Sequence, residues 1–167
     1  MQHKPQAAFA ARLAEYAPLP WEQIPDLGLY MDQVLTFIER QCRTLYAPGE
    51  RVFTPAMVNN YVKQGLVSRP DGKKYGREQL AQLLMICVLK QATSGEGMKR
   101  LLTPGAGEAV QALYSHFCAT QTAVFHTLAE ELPLPSAMTC AVRNAAYHLL
   151  CNELLTMPEQ TPEEADA

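Results

Sequence analysis

Long apolar runs are missing from this sequence of 167 residues. None approaches the roughly 18 residues that a membrane-spanning helix requires. The first residues, MQHKPQAAFAARLAEYAP, lack the continuous apolar segment of a secretory signal. The five cysteines are odd in number and widely spaced, which is typical of reduced thiols in a cytosol. We therefore expect a cytoplasmic protein that has no membrane partner.

Sequence motifs for metal binding and catalysis are also missing. Structural zinc sites usually contain closely spaced Cys-x2–4-Cys pairs, whereas Cys140 and Cys151 are eleven residues apart, with His148 beside the second. The sequence contains no glycine-rich phosphate loop, His-Glu-x-x-His motif or nucleophile elbow. Tyr30 is better interpreted as a packing residue, and Asp32 as a first-turn carboxylate that complements a helix dipole. We expect no catalytic residue, no metal and no cofactor, and interpret the cysteines as small buried apolar residues.

Acidic residues are scarce in one segment of the chain. Residues 51–77 contain six lysines and arginines but only one acid, Asp71, whereas the whole chain has 14 basic and 17 acidic residues and a net charge of -3. A basic segment within an acidic protein creates a localised positive surface. This pattern favours an anionic partner, with a solvated charged loop as the alternative.

Apolar residues recur at helical spacing along most of the chain and predict a mainly α fold. Prolines exclude a regular helix from PLPWEQIPDLGL, residues 18–29, which we name the strap. Its Trp21, Ile24 and Leu27 are expected to pack against the core. The helix with the widest apolar face is expected at the centre of the core and covers 77–92. The other helices are predicted near 5–16, 30–45, 55–64, 96–102, 106–131 and 136–156.

The helix predicted over 55–64 has recognisable ends. Thr54 is a good N-cap and Pro55 suits the first helical position, while Gly65 suits a left-handed C-cap. Beyond it, Pro70-Asp71-Gly72 predicts a turn between two short extended pieces. We name residues 67–76 the basic wing and expect a minimal β-wing there.

The outward face of helix 55–64 carries amides and a lysine. If Val58, Tyr61 and Val62 point inward, then the opposite face points outward. Its Asn59, Asn60 and Lys63 are predicted to face DNA bases. Amide side chains can pair with an adenine edge in the major groove, and lysine can reach guanine or phosphate. The basic wing would lie beside the helix. The residues predicted to hold the DNA backbone are Arg51, Thr54, Arg69, Lys73, Lys74, Tyr75 and Arg77.

The order of these elements resembles the winged-helix DNA-binding domain of MerR-type transcription regulators. The segments VNNYVKQGLV and KKYGREQLAQLLMICVLKQATSGEGMKRLL, within 52–102, are similar to that family's recognition helix, Gly-Leu end, wing and following helices. Asn59 and Asn60 stand where that family usually has Arg and Tyr, and Gly95 and Gly97 fall in the next helix. The resemblance implies a DNA-binding regulator whose base contacts differ from those of the family.

A longer resemblance spans roughly 19–155. The segments LPWEQIPDLGLYMDQVLTFIE, TPAMVNNYVKQGL and KKYGREQLAQLLMICVLKQ are similar to a bacterial family known as domain of unknown function 1836. This resemblance implies no activity. It does imply that the strap, the predicted recognition helix and the C-terminal helices belong to one unit.

The sequence thus predicts a winged helix-turn-helix with a minimal β-wing and a C-terminal α-helical hairpin. We expect an N-terminal helix and strap over 1–29, a DNA-binding-like domain over 30–102, the hairpin over 103–156 and a disordered acidic tail over 157–167. The expected function is transcription regulation through double-stranded DNA, as a homodimer. The hairpin would serve dimerisation or bind a small-molecule effector in a pocket beside helices 30–45 and 77–92. The alternative function is a non-catalytic protein-interaction module on a degraded winged helix.

Overall fold

The computed structural model describes residues 4–104 and 109–157, and the chain divides after Leu134 into two compact units. The first unit contains six of the helices in the described residues, and the second contains one. The helices of the first unit are α1 (Lys4–Glu15), α2 (Met31–Cys42), α3 (Pro55–Lys63), α4 (Arg77–Leu89), α5 (Gly95–Leu102) and α6 (Val110–Glu131). The second unit contains α7 (Ala137–Thr156), and two short 3-10 turns cover Trp21–Gln23 and Arg43–Leu45.

The mainly α prediction is confirmed, and the predicted helices are present with small changes at their ends. Predicted helix 30–45 ends as an α-helix at Cys42 and finishes in the 3-10 turn. Predicted helix 106–131 begins, within the described residues, at Val110. α6 and α7 belong to different units, so their antiparallel pairing stays a prediction, and the tail beyond Met157 lies outside the described residues.

Helix α4 is the centre of the first unit, as predicted. Every residue from Leu80 to Cys87 is buried, including the polar Gln82. A helix that is apolar around its whole circumference must be enclosed by other elements, and α4 packs against both α2 and α6. The elements around it are therefore held on a common core.

The strap agrees only in part with its prediction. Ile24 is fully buried, and the ring of Trp21 lies 6.2 Å from that of Tyr114 on α6. The prediction for Leu27 is wrong, because its side chain is 78% exposed. Leu27 occupies a bend in the backbone, after which Leu29 pairs with a distant part of the chain.

The paired strands expected in the basic wing are not formed in the described residues. The extended pairing consists of two isolated bridges, Asp71 with Lys74 and Leu29 with Tyr75. Pro70 has no N–H group to donate to a ladder, and Tyr75 pairs with the strap instead of with the other side of the wing. The basic wing is therefore a loop closed by a single turn.

Candidate nucleic-acid interface

Helix α3 is anchored by the residues on its inner side. Val58 is fully buried and Tyr61 is 9% exposed, and the Tyr61 ring meets the edge of Phe53 at 5.7 Å between centroids. The Thr54 hydroxyl accepts the Met57 N–H at 3.3 Å, which confirms the predicted N-cap. These contacts fix which face of α3 points outward.

The outward face of α3 carries the predicted base-facing residues. Asn59, Asn60 and Lys63 are all exposed. The helix then ends at Gly65, whose φ of +74° lies in the left-handed region that favours glycine. There the Leu66 N–H donates to the Tyr61 carbonyl at 2.9 Å, so the chain turns sharply toward the basic wing.

The first residues of the basic wing are held by two glutamines of α4. The Gln82 carbonyl oxygen accepts the Ser68 N–H at 2.9 Å and lies 3.1 Å from the Ser68 hydroxyl. The Gln79 amide donates to the Ser68 hydroxyl at 3.2 Å and to the Arg69 carbonyl at 3.3 Å. The sequence analysis missed both glutamines. The pattern in the sequence that could have indicated them is a pair of amide side chains about one turn apart on a mostly apolar helix.

The last residues of the basic wing are held by the strap. Leu29 and Tyr75 exchange two backbone hydrogen bonds of 2.9 Å each. Between these anchors, the Lys74 N–H donates to the Asp71 carbonyl at 3.0 Å, and Gly72 has a φ of +58°. This geometry agrees with the predicted turn at Pro70-Asp71-Gly72. The wing is thus attached to the core at both of its ends.

An open groove of about 800 Å³ runs between the start of α2, the face of α3 and the basic wing. Four of the predicted DNA contacts line it together: Asn59 and Lys63 from α3, and Lys73 and Tyr75 from the wing. Its other lining residues are Tyr30, Met31, Asp32, Leu35, Pro55, Val62, Pro70 and Gly72. The groove therefore has cations on two sides, an apolar floor and one carboxylate.

Lys74 crosses the strap beside this groove. Its side chain runs over Gly28, where an added Cβ would lie only 2.8 Å from the Lys74 Cβ. The Lys74 ammonium lies 5.4 Å from the centre of the Tyr30 ring, which is within the range of a cation–π contact. Gly28 therefore allows the wing to approach the strap closely.

Three residues predicted to contact the DNA backbone have structural partners. Arg77 donates through Nε to the Ile24 carbonyl at 2.9 Å, and its guanidinium faces Asp26 at 3.5 Å. Tyr75 is 5% exposed, and burial raises the pKa of its phenol. Thr54 uses its hydroxyl as the helix cap. Only Arg51, Arg69, Lys73 and Lys74 of the predicted set have exposed side chains.

Lys90 is a third structural residue, after Gln79 and Gln82, that was not predicted from the sequence. Its Nζ donates to the Val52 carbonyl at 2.6 Å and lies 4.8 Å from the ring of Phe53 and 5.0 Å from that of Tyr46. Burial lowers the pKa of Lys90. These contacts fix the loop that leads into α3.

The effector pocket expected beside helices 30–45 and 77–92 is very small. A cavity lined from α2, α4, α6 and the segment before the strap has a volume of about 20 Å³, close to the space that one water molecule requires. A larger open groove of about 660 Å³ lies instead between Trp21 of the strap and α6, and it includes His126. This cavity holds nothing larger than water, and because the predicted pocket also involves α7, which belongs to the other unit, the effector site stays a prediction.

The part of the chain that the structure describes contains neither a metal-binding cluster nor a membrane-spanning helix. Within 4–104 and 109–157, no three histidine, cysteine or acidic side chains lie close enough to hold a metal ion. Cys42 and Cys87 are buried as expected, whereas Cys140 is exposed. None of the helices in these residues combines the length and hydropathy required for crossing a bilayer.

The family model for Domain of unknown function (DUF1836) matches residues 19–117. The chain belongs to this family. The DUF1836 match begins in the strap and ends within α6, so it includes both anchors of the basic wing, the whole of α3 and all lining residues of the groove. Helix α7 lies beyond the matched residues. No curated protein and no solved structure matches the chain.

Proposed function

We propose that this protein binds double-stranded DNA through the exposed face of α3 and the basic wing, and that it regulates transcription. One observation carries the proposal: Lys63 of α3 and Lys73 of the wing line a single open groove. A positive helix face beside a positive loop is the arrangement that a duplex can contact in two places. The scarcity of acids over 51–77 adds a local positive field.

The dimensions of α3 suit the major groove of DNA. An α-helix with its side chains is about 10–12 Å in diameter, which fits the width of about 12 Å of the major groove. The nine residues of α3 extend roughly 14 Å along the helix axis. With α3 in that groove, one sugar–phosphate strand would pass between α3 and the basic wing. Lys63 and Lys73 would then contact the same strand from opposite sides.

The proposal divides the exposed residues into two roles. Asn59 and Asn60 offer the amide donors and acceptors that read base edges. Lys63 was first expected to face bases. Because it lines the groove, it is assigned to the sugar–phosphate strand that would pass through the groove. Arg51, Arg69, Lys73 and Lys74 are assigned to phosphates. Thr54, Tyr75 and Arg77 are reassigned to positioning, because their partners are protein groups.

The arrangement of α2, α3 and the basic wing supports a winged helix-turn-helix of reduced form, similar in order to that of MerR-type regulators. In this proposal α2 is the first helix, α3 is the recognition helix and the loop 67–76 replaces a stranded wing. Two glutamines and the strap hold that loop in place of a strand ladder.

The proposal is tested by titrating a fluorescent duplex with the full chain at 50 and 200 mM salt. Five phosphate contacts, from Lys63 and the four cations assigned to phosphates, predict that the affinity falls roughly 500-fold over this range. Charge reversal of Lys63 and Lys73 to Glu should weaken binding further. The matched control is Arg12→Glu, since Arg12 is exposed on α1, away from the interface. Absence of binding, or binding that ignores salt, would end the proposal.

A second function is favoured by the floor of the groove, which is lined by Met31, Leu35 and Val62 together with two prolines. Such an apolar floor suits a protein segment better than a phosphate strand. In this alternative the chain is a non-catalytic protein-interaction module. It predicts no DNA affinity in the wild type, and loss of a protein partner after charge reversal of Lys73 and Lys74.

A further inference from the structure

Gln121 of α6 is a buried polar residue with an unpaired donor. It is 6% exposed, and its amide Nε2 has no hydrogen-bond partner among the protein groups that the structure describes. Gln82, the other buried polar residue in the described part of the chain, accepts hydrogen bonds from Ser68. Buried amide donors in folded proteins are almost always paired, either with a protein group or with an ordered water. Gln121 therefore needs a partner from outside the protein.

Gln121 lines the small cavity of about 20 Å³ that lies between α2, α4 and α6. Tyr16, which follows α1, and Gln41 of α2 also line this cavity. Burial raises the pKa of the Tyr16 phenol, and the neighbouring Gln121 amide opposes that rise. The two side chains are thus neighbours, but Nε2 does not form a hydrogen bond of normal geometry with the phenol. The unpaired donor therefore adjoins a space with two further polar side chains around it.

The size and the lining of this cavity restrict what can occupy it. A volume of about 20 Å³ accommodates one water molecule and no larger polar molecule. The residues that line the cavity carry no formal charge at neutral pH, and a buried ion without a counter-charge is strongly destabilised. A single neutral molecule that both accepts and donates hydrogen bonds fits these conditions.

We propose that this cavity binds one water molecule, which accepts the Gln121 amide N–H and donates to oxygen atoms of Tyr16 and Gln41. A water in this position joins α6 to α2 and to the end of α1. Buried waters typically form about three hydrogen bonds to groups that would otherwise be unpaired. The proposal explains why a glutamine occupies a position of α6 that shares the cavity with Leu84 and Phe117.

The water site also adjoins the first residues of the strap. Pro18 and Leu19 line the cavity, and the Leu19 carbonyl accepts the Tyr114 hydroxyl at 2.7 Å. The other end of the strap pairs with the basic wing through Leu29 and Tyr75. The water therefore stabilises the attachment of the segment that holds the wing. The site itself does not depend on DNA binding, so the two proposals can fail separately.

The test counts long-lived water molecules in the full chain by oxygen-17 relaxation dispersion, which detects waters that stay bound for longer than the protein takes to tumble. Gln121→Met nearly preserves the side-chain volume and removes the amide, so we expect this variant to hold one such water fewer than the wild type. The matched control is Gln111→Met, at an exposed position of the same helix, which should keep the wild-type number. Equal numbers in the wild type and in Gln121→Met would overturn the proposal.

A second measurement uses the wild type alone and does not depend on the folding of a variant. Nuclear Overhauser effects between water and the side-chain amide protons of Gln121 should have the sign of a long-lived complex. The sign of short-lived surface water, or no effect, would overturn the proposal as well. Trp21 is the only tryptophan of the chain and lies in the first unit, so its fluorescence reports whether that unit stays folded in each variant.

Discussion

The buried Gln82 of α4 accepts the backbone N–H of Ser68 at 2.9 Å and lies 3.1 Å from its hydroxyl. This contact joins the first residues of the basic wing to the central helix of the core. A buried acceptor that serves two donors cannot be removed without leaving both donors unpaired. A residue of α4 therefore helps to hold the basic wing in position.

Gln82→Leu should destabilise the protein and loosen the basic wing. Loss of the acceptor leaves the Ser68 N–H unpaired, which costs about 1–3 kcal/mol. Urea denaturation measures this loss, and limited trypsin digestion should cut faster after Lys73 and Lys74. The control is Gln111→Leu, an exposed position on α6. Unchanged stability and unchanged cleavage rates would contradict the role assigned to Gln82.

Gly28→Ala should push the strap away from the basic wing. An added Cβ would lie 2.8 Å from the Lys74 Cβ, which cannot move without its backbone. We expect a loss of about 1–3 kcal/mol, typical of overpacking. The control is Gly95→Ala, where an added Cβ would lie 4.0 Å from the Gln64 side-chain oxygen, an ordinary van der Waals distance. If both alanine variants unfold at the same urea concentration as the wild type, the strap and the basic wing can move apart without loss of stability. That result would contradict the prediction.

Arg77→Lys should reduce stability without changing the salt dependence of DNA binding. The lysine cannot reproduce the Nε bond to the Ile24 carbonyl or the planar guanidinium 5.9 Å from the Trp21 ring. The expected loss is about 1 kcal/mol, and Trp21 fluorescence should shift. The Asp26 pair adds little, since Asp26 is 76% exposed. Arg77→Gln, which removes the charge, should also leave the salt dependence unchanged, and a reduced salt slope in this variant would instead assign Arg77 to a phosphate.

The protein should lose stability above about pH 10, the usual pKa of tyrosine. Burial raises the pKa of the Tyr114 phenol, whose hydroxyl donates to the Leu19 carbonyl at 2.7 Å. A group with a raised folded-state pKa contributes its stability below the unfolded pKa and loses it as the pH rises further. One such phenol contributes up to about 1.4 kcal/mol per pH unit above pH 10.

Tyr114→Phe should therefore flatten the alkaline loss while lowering stability at neutral pH by about 1 kcal/mol. Urea denaturation at pH 8, 10 and 11 measures both effects. The control is Tyr147→Phe, since Tyr147 is 70% exposed on α7. An equal alkaline slope in the wild type and in Tyr114→Phe would contradict this explanation.

The features that were predicted correctly from the sequence are those that depend on residues close together in the chain. Thr54, Pro55 and Gly65 fixed the ends of α3, because capping depends on neighbouring backbone groups. The apolar spacing of α4 predicted its central position, and the outward face of α3 followed from the burial of Val58. The three prolines of the strap correctly excluded a regular α-helix from that segment.

Contacts between distant residues could not be predicted in this way. Leu29 pairs with Tyr75 across 46 positions, and nothing in either neighbourhood specifies the other partner. Arg77 was assigned to a phosphate because its charge was visible in the sequence, whereas its carbonyl partner at Ile24 was not. The acceptor role of Gln82 likewise depends on Ser68, which lies 14 positions away in the chain.

The most direct test of the DNA interface is the salt dependence of duplex binding for the wild type, Lys63→Gln, Lys73→Gln and the double variant. The interface predicts that each substitution reduces the logarithmic salt slope by about 0.9 per protomer, and the double variant by about 1.8. Arg12→Gln, on α1, should leave the slope unchanged. Equal slopes in all five proteins, or no binding by the wild type at 50 mM salt, would contradict a shared DNA-binding face.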